Sequence, residues 1–335
     1  MQTRRTLLSA TAVVGLTATT TLGALLPLHS ALAADSFQGF LESVRADARK
    51  QGISAGTLDA AFRGIAPNQA VLDRDRHQPE FTMTWQRYRT LVINDQRVTN
   101  GRAAWRQNKA LLTEVQARYG VDPRVILGIW GLESSFGTTT GSFNVVESLA
   151  TLAWEGRRAS FFRGELMAAL KILQAGDVSP GRMTGSYAGA MGQPQFMPSS
   201  YLRFAVDFDG GGKRDIWNNR ADVFGSIANY LAKSGWQTGQ IWGVRANFPA
   251  NLDVSLAGRE FRRTPAEWSR LGVRADGRGW PGGDAPAALV LPDGVNGGDT
   301  GEAYLVGANF MAIRRYNPSD FYALGVALLG DMAAT

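Results

Sequence analysis

Residues 125–137, Val-Ile-Leu-Gly-Ile-Trp-Gly-Leu-Glu-Ser-Ser-Phe-Gly, form an apolar run interrupted by a single carboxylate, Glu133. Asp122 and Pro123 stand just ahead of it, an N-cap followed by a residue suited to the first helical position, so the spacing predicts a helix that stops at Gly137. On that helix Glu133 shares a face with Ile126, Ile129 and Trp130. Its carboxyl is therefore expected against hydrocarbon and indole rather than water. Desolvation disfavours the ionised form, as does the negative end of the helix dipole, so both push its pKa upward. A carboxyl that stays protonated near neutral pH is what glycosidic bond cleavage needs to protonate a leaving oxygen. A structural glutamate hydrogen-bonded to a neighbouring loop fits the same pattern.

The first residues place the chain in a compartment. Arg4 and Arg5 precede an apolar, Thr-rich run from Leu7 to Leu28, and Ala31-Leu32-Ala33 puts small residues where a signal peptidase reads. Residues 1–33 read as a cleaved export signal. A signal anchor is the rival, disfavoured by Gly15, Gly23, Pro27 and the threonines that break the run. The paired arginines leave the Sec and twin-arginine routes both open. Cleavage leaves 302 of the 335 residues, enough for one large domain or about two. With no cysteine, the chain carries neither a lipid anchor on a new N-terminal cysteine nor disulfides, and a hydrophobic core must hold the fold. The net charge of +6 becomes +4 after cleavage, a mild bias toward anionic polymers of the wall or a membrane surface rather than nucleic acid.

Helical periodicity covers Phe37 to about Gly120, residues 160–174 and 222–234, and a last helix from about Pro318 to Met332. Between the middle two, residues 180–215 are rich in Gly, Pro, Ser and Tyr and read as turns. Near Trp242 the texture changes to short apolar runs such as Ala287–Leu291, which predicts a small β-containing insert. The fold class expected is mainly α, with a helical core over about 34–241 and 306–335 and a β-containing subdomain over about 242–305.

Two further segments carry chemistry. Residues 185–201 alternate glycines with Gln, Ser and Tyr, which suits a sugar cleft: glycines admit the polymer, amides and hydroxyls bond its substituents, and rings stack on its faces. A tightly packed structural loop has the same composition. Asp207-Phe208-Asp209-Gly210-Gly211-Gly212-Lys213-Arg214-Asp215 looks like the start of a calcium loop. It departs from the template, with Gly211 where a third Asp would stand, Lys213 able to offer only its carbonyl, and Asp215 or Asp222 left to complete the shell. A metal-free polar turn is the competing reading. His77 is the one histidine after residue 33 and reads as a surface residue, so no hydrolase triad is apparent, and Gly212-Lys213-Arg214 lacks the rest of a phosphate loop. Trp154, Trp217, Trp236 and Trp280 read mostly as core.

The chain resembles the lytic murein transglycosylase B family, with its lysozyme-like helical core. The resemblance rests on Gly-Ile-Trp-Gly-Leu-Glu-Ser-Ser-Phe-Gly and on Ser-Tyr-Ala-Gly-Ala-Met-Gly-Gln-Pro-Gln-Phe-Met-Pro-Ser-Ser-Tyr. It rests also on Asp-Ile-Trp-Asn-Asn with the following Ala-Asp-Val-Phe-Gly-Ser-Ile-Ala-Asn-Tyr-Leu, and on Arg-Tyr-Asn-Pro-Ser-Asp-Phe-Tyr-Ala-Leu-Gly-Val-Ala-Leu-Leu. These occur in the family's order over nearly all of the chain after residue 33. The resemblance implies a periplasmic, monomeric enzyme acting on peptidoglycan glycan strands, with no cofactor required and calcium optional at Asp207, Asp209, Lys213, Asp215 and Asp222. It implies Glu133 as general acid and then base, with Ser186, Gln195, Tyr230, Tyr316, Asn317 and Tyr322 lining the cleft and Ser186 placed to orient the glutamate or the sugar's N-acetyl group. Arg314 and Arg315 are expected to meet acidic peptide stems or stay solvated. The product implied is a 1,6-anhydro sugar; a lysozyme-type hydrolase and a non-catalytic wall-binding protein are the alternatives. No second apolar-embedded acid comparable to Glu133 appears, which favours a one-acid mechanism.

Overall fold

The computed structural model describes residues 36–76, 83–277, 279–294 and 302–335; the expected export signal and His77 lie outside the described residues. The chain is mainly α, as its periodicity indicates. Three short helices and one long one open it after α1 (Phe37–Lys50): α2 (Ala55–Ala61), α3 (Gln69–Arg76), α4 (Trp85–Val92) and α5 (Asp95–Tyr119). Then come α6 (Pro123–Ser134), α7 (Val145–Glu155), α8 (Ala159–Ala175), α9 (Pro198–Phe204) and α10 (Arg220–Lys233). The last three are α11 (Pro265–Arg270), α12 (Ala308–Tyr316) and α13 (Asp320–Ala333). The region expected to consist of turns thus contains α9, which starts on Pro198 and is too short to show a period.

Two helical cores meet at the middle of the chain. The first joins α1 to α3 with α7, α8, α9 and the loop residues Met183, Met191 and Phe196. The second joins α4, α5, α6, α10, α12 and α13. Strands β3 (Gly243–Asn247), β4 (Arg262–Arg263), β5 (Arg274–Ala275), β6 (Ala287–Val290) and β7 (Ala303–Val306) form one antiparallel sheet in the order β4-β6-β7-β3-β5. Its two faces are both covered. Ala288, Val290, Tyr304 and Val306 face the second helical core, while Leu289, Leu305, Val244 and the buried Trp268 of α11 build a third. That double burial explains why Ala287–Val290 is apolar at every position rather than alternating.

Helix α6 lies antiparallel on α13, and the contact is backbone to backbone. A Cβ on Gly128 would stand 2.1 Å from the Val326 carbonyl oxygen, and one on Gly330 would stand 2.1 Å from the Arg124 carbonyl oxygen. Neither glycine has a left-handed backbone, so each is required by the close approach alone. Since Arg124 meets the end of α13, the C-terminal end of α6 meets its start. Gly330→Ala should force the helices apart and lower stability by about 1–3 kcal/mol; urea unfolding of the two proteins measures it, and an unchanged midpoint would contradict this account of the contact.

Candidate active site

Helix α6 begins as expected, with the Asp122 side chain accepting the Arg124 N–H, but it ends at Ser134 rather than Gly137. Ser135 and Phe136 are left-handed, at φ 49° and 60°, and Gly137 continues at 83°. Such a turn costs about 1–3 kcal/mol for each non-glycine residue and must be held from several sides. The Ser134 Oγ accepts the Gly137 N–H, the Ser134 carbonyl accepts the Thr139 N–H, and the Trp130 carbonyl accepts the Phe136 N–H. Phe136 then folds back over Gly131 and Gly101, where any side chain would collide with its ring, and meets Trp130 edge-on. Glu133 is thereby fixed in the last turn of the helix.

Its surroundings are phenolic. The Tyr322 hydroxyl of α13 donates to Glu133 Oε1 at 2.5 Å. Glu133 keeps a partial opening to solvent. Burial nevertheless pushes its pKa from 4.5 up to about 7, and the Tyr322 hydrogen bond pulls in the opposite direction. Tyr88 of α4, Tyr316 and Tyr322 all feel the Glu133 charge; burial first, then that charge, pushes Tyr88 up to about 12 and the other two well above the usual phenol range. All three hydroxyls are protonated and able to donate. Trp130, three residues back on the same helix, packs edge-on to Phe224 and Phe136 and donates its indole N–H to Gln193 Oε1 at 2.7 Å.

From Glu133 an aromatic ladder runs outward. The rings of Tyr322 and Tyr316 stack with centroids 6.5 Å apart, Tyr316 and Tyr230 are 4.6 Å apart, and Tyr230 and Phe204 are 4.3 Å apart. The Tyr316 hydroxyl donates to the Pro194 carbonyl at 2.6 Å, and Tyr230 donates to the Arg315 carbonyl. Asn317 is exposed, its Oδ1 accepting the Ser319 N–H at 3.2 Å, and with Tyr88 and Tyr322 it lines a cavity of about 550 Å³. Arg314 is neither solvated nor free for a peptide stem: it pairs with Asp320 at 2.5 Å and donates to the Pro318 carbonyl.

The glycine-rich loop is tied down at both ends. Strands β1 (Phe143–Asn144) and β2 (Thr184–Gly185) pair antiparallel, and Met191 bridges Phe196 across a tight turn. Gln195 sits at that turn with a left-handed φ of 51°, its amide donating to the Thr140 and Gly192 carbonyls. Ser186 accepts the Ala190 N–H at 3.1 Å, a bond that shapes the loop; the hydrogen bond on Glu133 comes from Tyr322. Gln193, which no motif argument separates from Gln195, is buried and clamps the loop to α6: besides accepting from Trp130 it donates to the Trp217 carbonyl at 2.8 Å. Gly137 leaves room for it, since a Cβ there would stand 2.5 Å from Gln193 Oε1.

The acidic loop brings together three of its five candidates. Carboxylate oxygens of Asp207, Asp209 and Asp222 lie within 4.8 Å of one another. Asp222 is buried and raised in pKa, mainly by desolvation and further by Asp209 and Asp207, while the Phe208 and Asp215 N–H groups oppose the shift. Asp215 stands outside the cluster, its carboxylate accepting from Trp217 and Asn218, and Lys213 is exposed.

The chain is similar to known proteins over most of its length. Escherichia coli K12 membrane-bound lytic murein transglycosylase B is 36% identical over 283 residues, 84% of this chain and 75% of that protein. Among solved structures, Pseudomonas aeruginosa SltB3 in complex with NAG-anhNAM-pentapeptide superposes with a TM-score of 0.84 at 47% identity, covering 89% of this chain and 79% of that one. The Escherichia coli lytic transglycosylase Slt35 in complex with calcium gives 0.73 at 34% identity, covering 89% and 92%. The helical core is thus the lysozyme-like core of these enzymes. Residues 36–331 match the model of the transglycosylase SLT domain, and the chain belongs to that family.

Proposed function

We propose that this chain is a lytic transglycosylase that cleaves the β-1,4 bond between N-acetylmuramic acid and N-acetylglucosamine in peptidoglycan and leaves 1,6-anhydromuramic acid ends. The observation that carries the reading is the Glu133 carboxyl, with a pKa near 7 and a hydrogen bond from Tyr322, a phenol that also lines a cavity with Tyr88 and Asn317. At neutral pH a large share of it is protonated and can give a proton to the oxygen leaving muramic acid. The sugar's own N-acetyl oxygen supports the cationic centre. Glu133, now ionised and stabilised by the Tyr322 hydroxyl, takes the proton of the C6 hydroxyl as that oxygen closes the anhydro ring. Proton count is restored at the end of the turnover, and no second carboxylate takes part.

No step of this reaction calls for a cofactor. The three convergent aspartates offer hard oxygen donors that suit calcium, which there would cross-link the loop to α10 and act on stability. Export of the chain to the periplasm through residues 1–33, by the Sec or twin-arginine route, is part of the same proposal, as is action by a monomer on glycan strands lined up by Ser186, Gln195, Tyr230, Tyr316 and Asn317.

Glu133→Gln should keep the fold and glycan binding and lower cleavage of purified sacculi by roughly 10²–10⁴-fold or more. Mass spectrometry of the wild-type digest should give muropeptides one water lighter than hydrolytic ones; hydrolytic masses would favour a muramidase, and full activity of the variant would remove Glu133 from the mechanism. The pH dependence has a definite sign. Activity requires protonated Glu133 in the free enzyme, so kcat/KM should fall as pH rises through about 7. The Tyr322 bond favours the ionised form, so Tyr322→Phe should move that falling limb to higher pH. A limb that stays in place or moves down would contradict the role given to the phenol.

A further inference from the structure

The catalytic end of α6 has a counterpart at the other end of the same helix. Asp122, Pro123 and Arg124 open α6, and with Trp105, Trp236 and Gln116 they line a second cavity, of about 530 Å³. Ten residues of helix separate Pro123 from Glu133, which at 1.5 Å each makes roughly 15 Å, so this cavity is not part of the cleft around Tyr322. Its volume falls within the range of about 300–1,000 Å³ usual for small-molecule sites.

Its wall is built rather than incidental. The segment from Trp236 to Gln240, which closes the cavity, is held from beneath by Asn309, a fully buried side chain. Asn309 accepts the Gln237 N–H at 2.6 Å and donates to the Gln237 and Gln240 carbonyls at 2.9 and 2.7 Å. On the opposite side Gly120 ends α5 with φ 68°, and a Cβ there would stand 2.1 Å from Thr238 Oγ1, so the segment seats directly on the helix end. The Trp236 indole N–H is already used on the Gly120 carbonyl, at 3.0 Å. Trp105 is half-buried on α5 and Trp236 is largely buried. Around the two indoles stand the amide of exposed Gln116 and the Asp122–Arg124 pair, whose Nε sits 3.0 Å from both carboxylate oxygens.

The half-buried Trp105 indole, with the largely buried Trp236 in the same wall and amide and carboxylate groups beside it, suits an N-acetylated sugar: an apolar sugar face lies on Trp105, while hydroxyl and acetamido groups meet Gln116 and Asp122. We infer that this cavity is a second saccharide site, which holds another stretch of the glycan strand while the first is cut. The inference rests on the proposed substrate, because only a polymer offers repeated sugars to two sites on one molecule. Holding the polymer at two points raises the effective concentration of strand at Glu133 with no new contact in the cleft.

The test uses the full chain carrying Glu133→Gln to prevent digestion, with purified sacculi and with the N-acetylglucosamine tetramer as probes. Trp105→Ala, and separately Gln116→Trp, which fills the cavity from an exposed position and leaves the core intact, should each weaken co-sedimentation with sacculi roughly five-fold or more. In the active protein the same substitutions should leave kcat/KM on a short soluble muropeptide within about two-fold, since distant sites act independently. In wild type, the tetramer should shift the indole N–H resonance of Trp105. Folded Gln116→Trp protein that binds sacculi as well as its parent would overturn the inference, as would an equal loss on the short substrate. A wild-type enzyme that releases no anhydro product would instead fail the proposed reaction, and the tetramer titration would still report on the cavity.

Discussion

The site depends on how closely α6 and α13 approach. Gly128 and Gly330 let the two backbones touch, and because the helices run antiparallel, that contact carries the start of α13 to the last turn of α6. Tyr322 then reaches Glu133 at 2.5 Å. A larger residue at either glycine would displace one helix by a methyl group's width or more, and a hydrogen bond weakens steeply over that distance. Packing and proton chemistry are therefore the same constraint seen at two places along one helix pair.

Around that contact the protein sets two opposing influences on one carboxyl. Burial favours the neutral acid, and the Tyr322 hydroxyl favours the carboxylate. Either alone would serve half of an acid-then-base cycle; together they leave the group near the middle of its titration at neutral pH. The neighbouring phenols are fit for this setting because their own protons are held firmly, burial having raised Tyr316 and Tyr322 far above the range in which they would ionise. The strained turn after Ser134 and the Gln193 clamp keep the helix end and the glycine-rich loop in fixed relation.

Much of this was legible from residues alone, and the exceptions have physical causes. The apolar helix, its Asp-Pro start and the isolation of Glu133 are local patterns, and so is the mainly α class. The helix stops three residues short of Gly137 because Ser135 and Phe136 take left-handed backbones that their side chains do not announce. Helix α7 escapes a periodicity reading because residues such as Val145, Val146, Leu149 and Leu152 bury it on more than one side. Tyr88 belongs to no motif and reaches the site only through the packing of α4 on α13. Gln193 and Gln195 are alike in sequence; their division into buried clamp and loop residue is made by tertiary structure. Arg314 pairs with Asp320, six residues on, a contact that the turn between α12 and α13 makes and no local pattern announces.

The central claim is that Glu133 is a neutral acid over much of the physiological range, and it can be read without any turnover. Infrared difference spectra between wild type and Glu133→Gln, recorded as a pH series, isolate the protonated carboxyl stretch of this one side chain. That band should persist well above the ordinary glutamate range and be half lost near pH 7. Its disappearance by about pH 5, as for a solvated glutamate, would contradict the account.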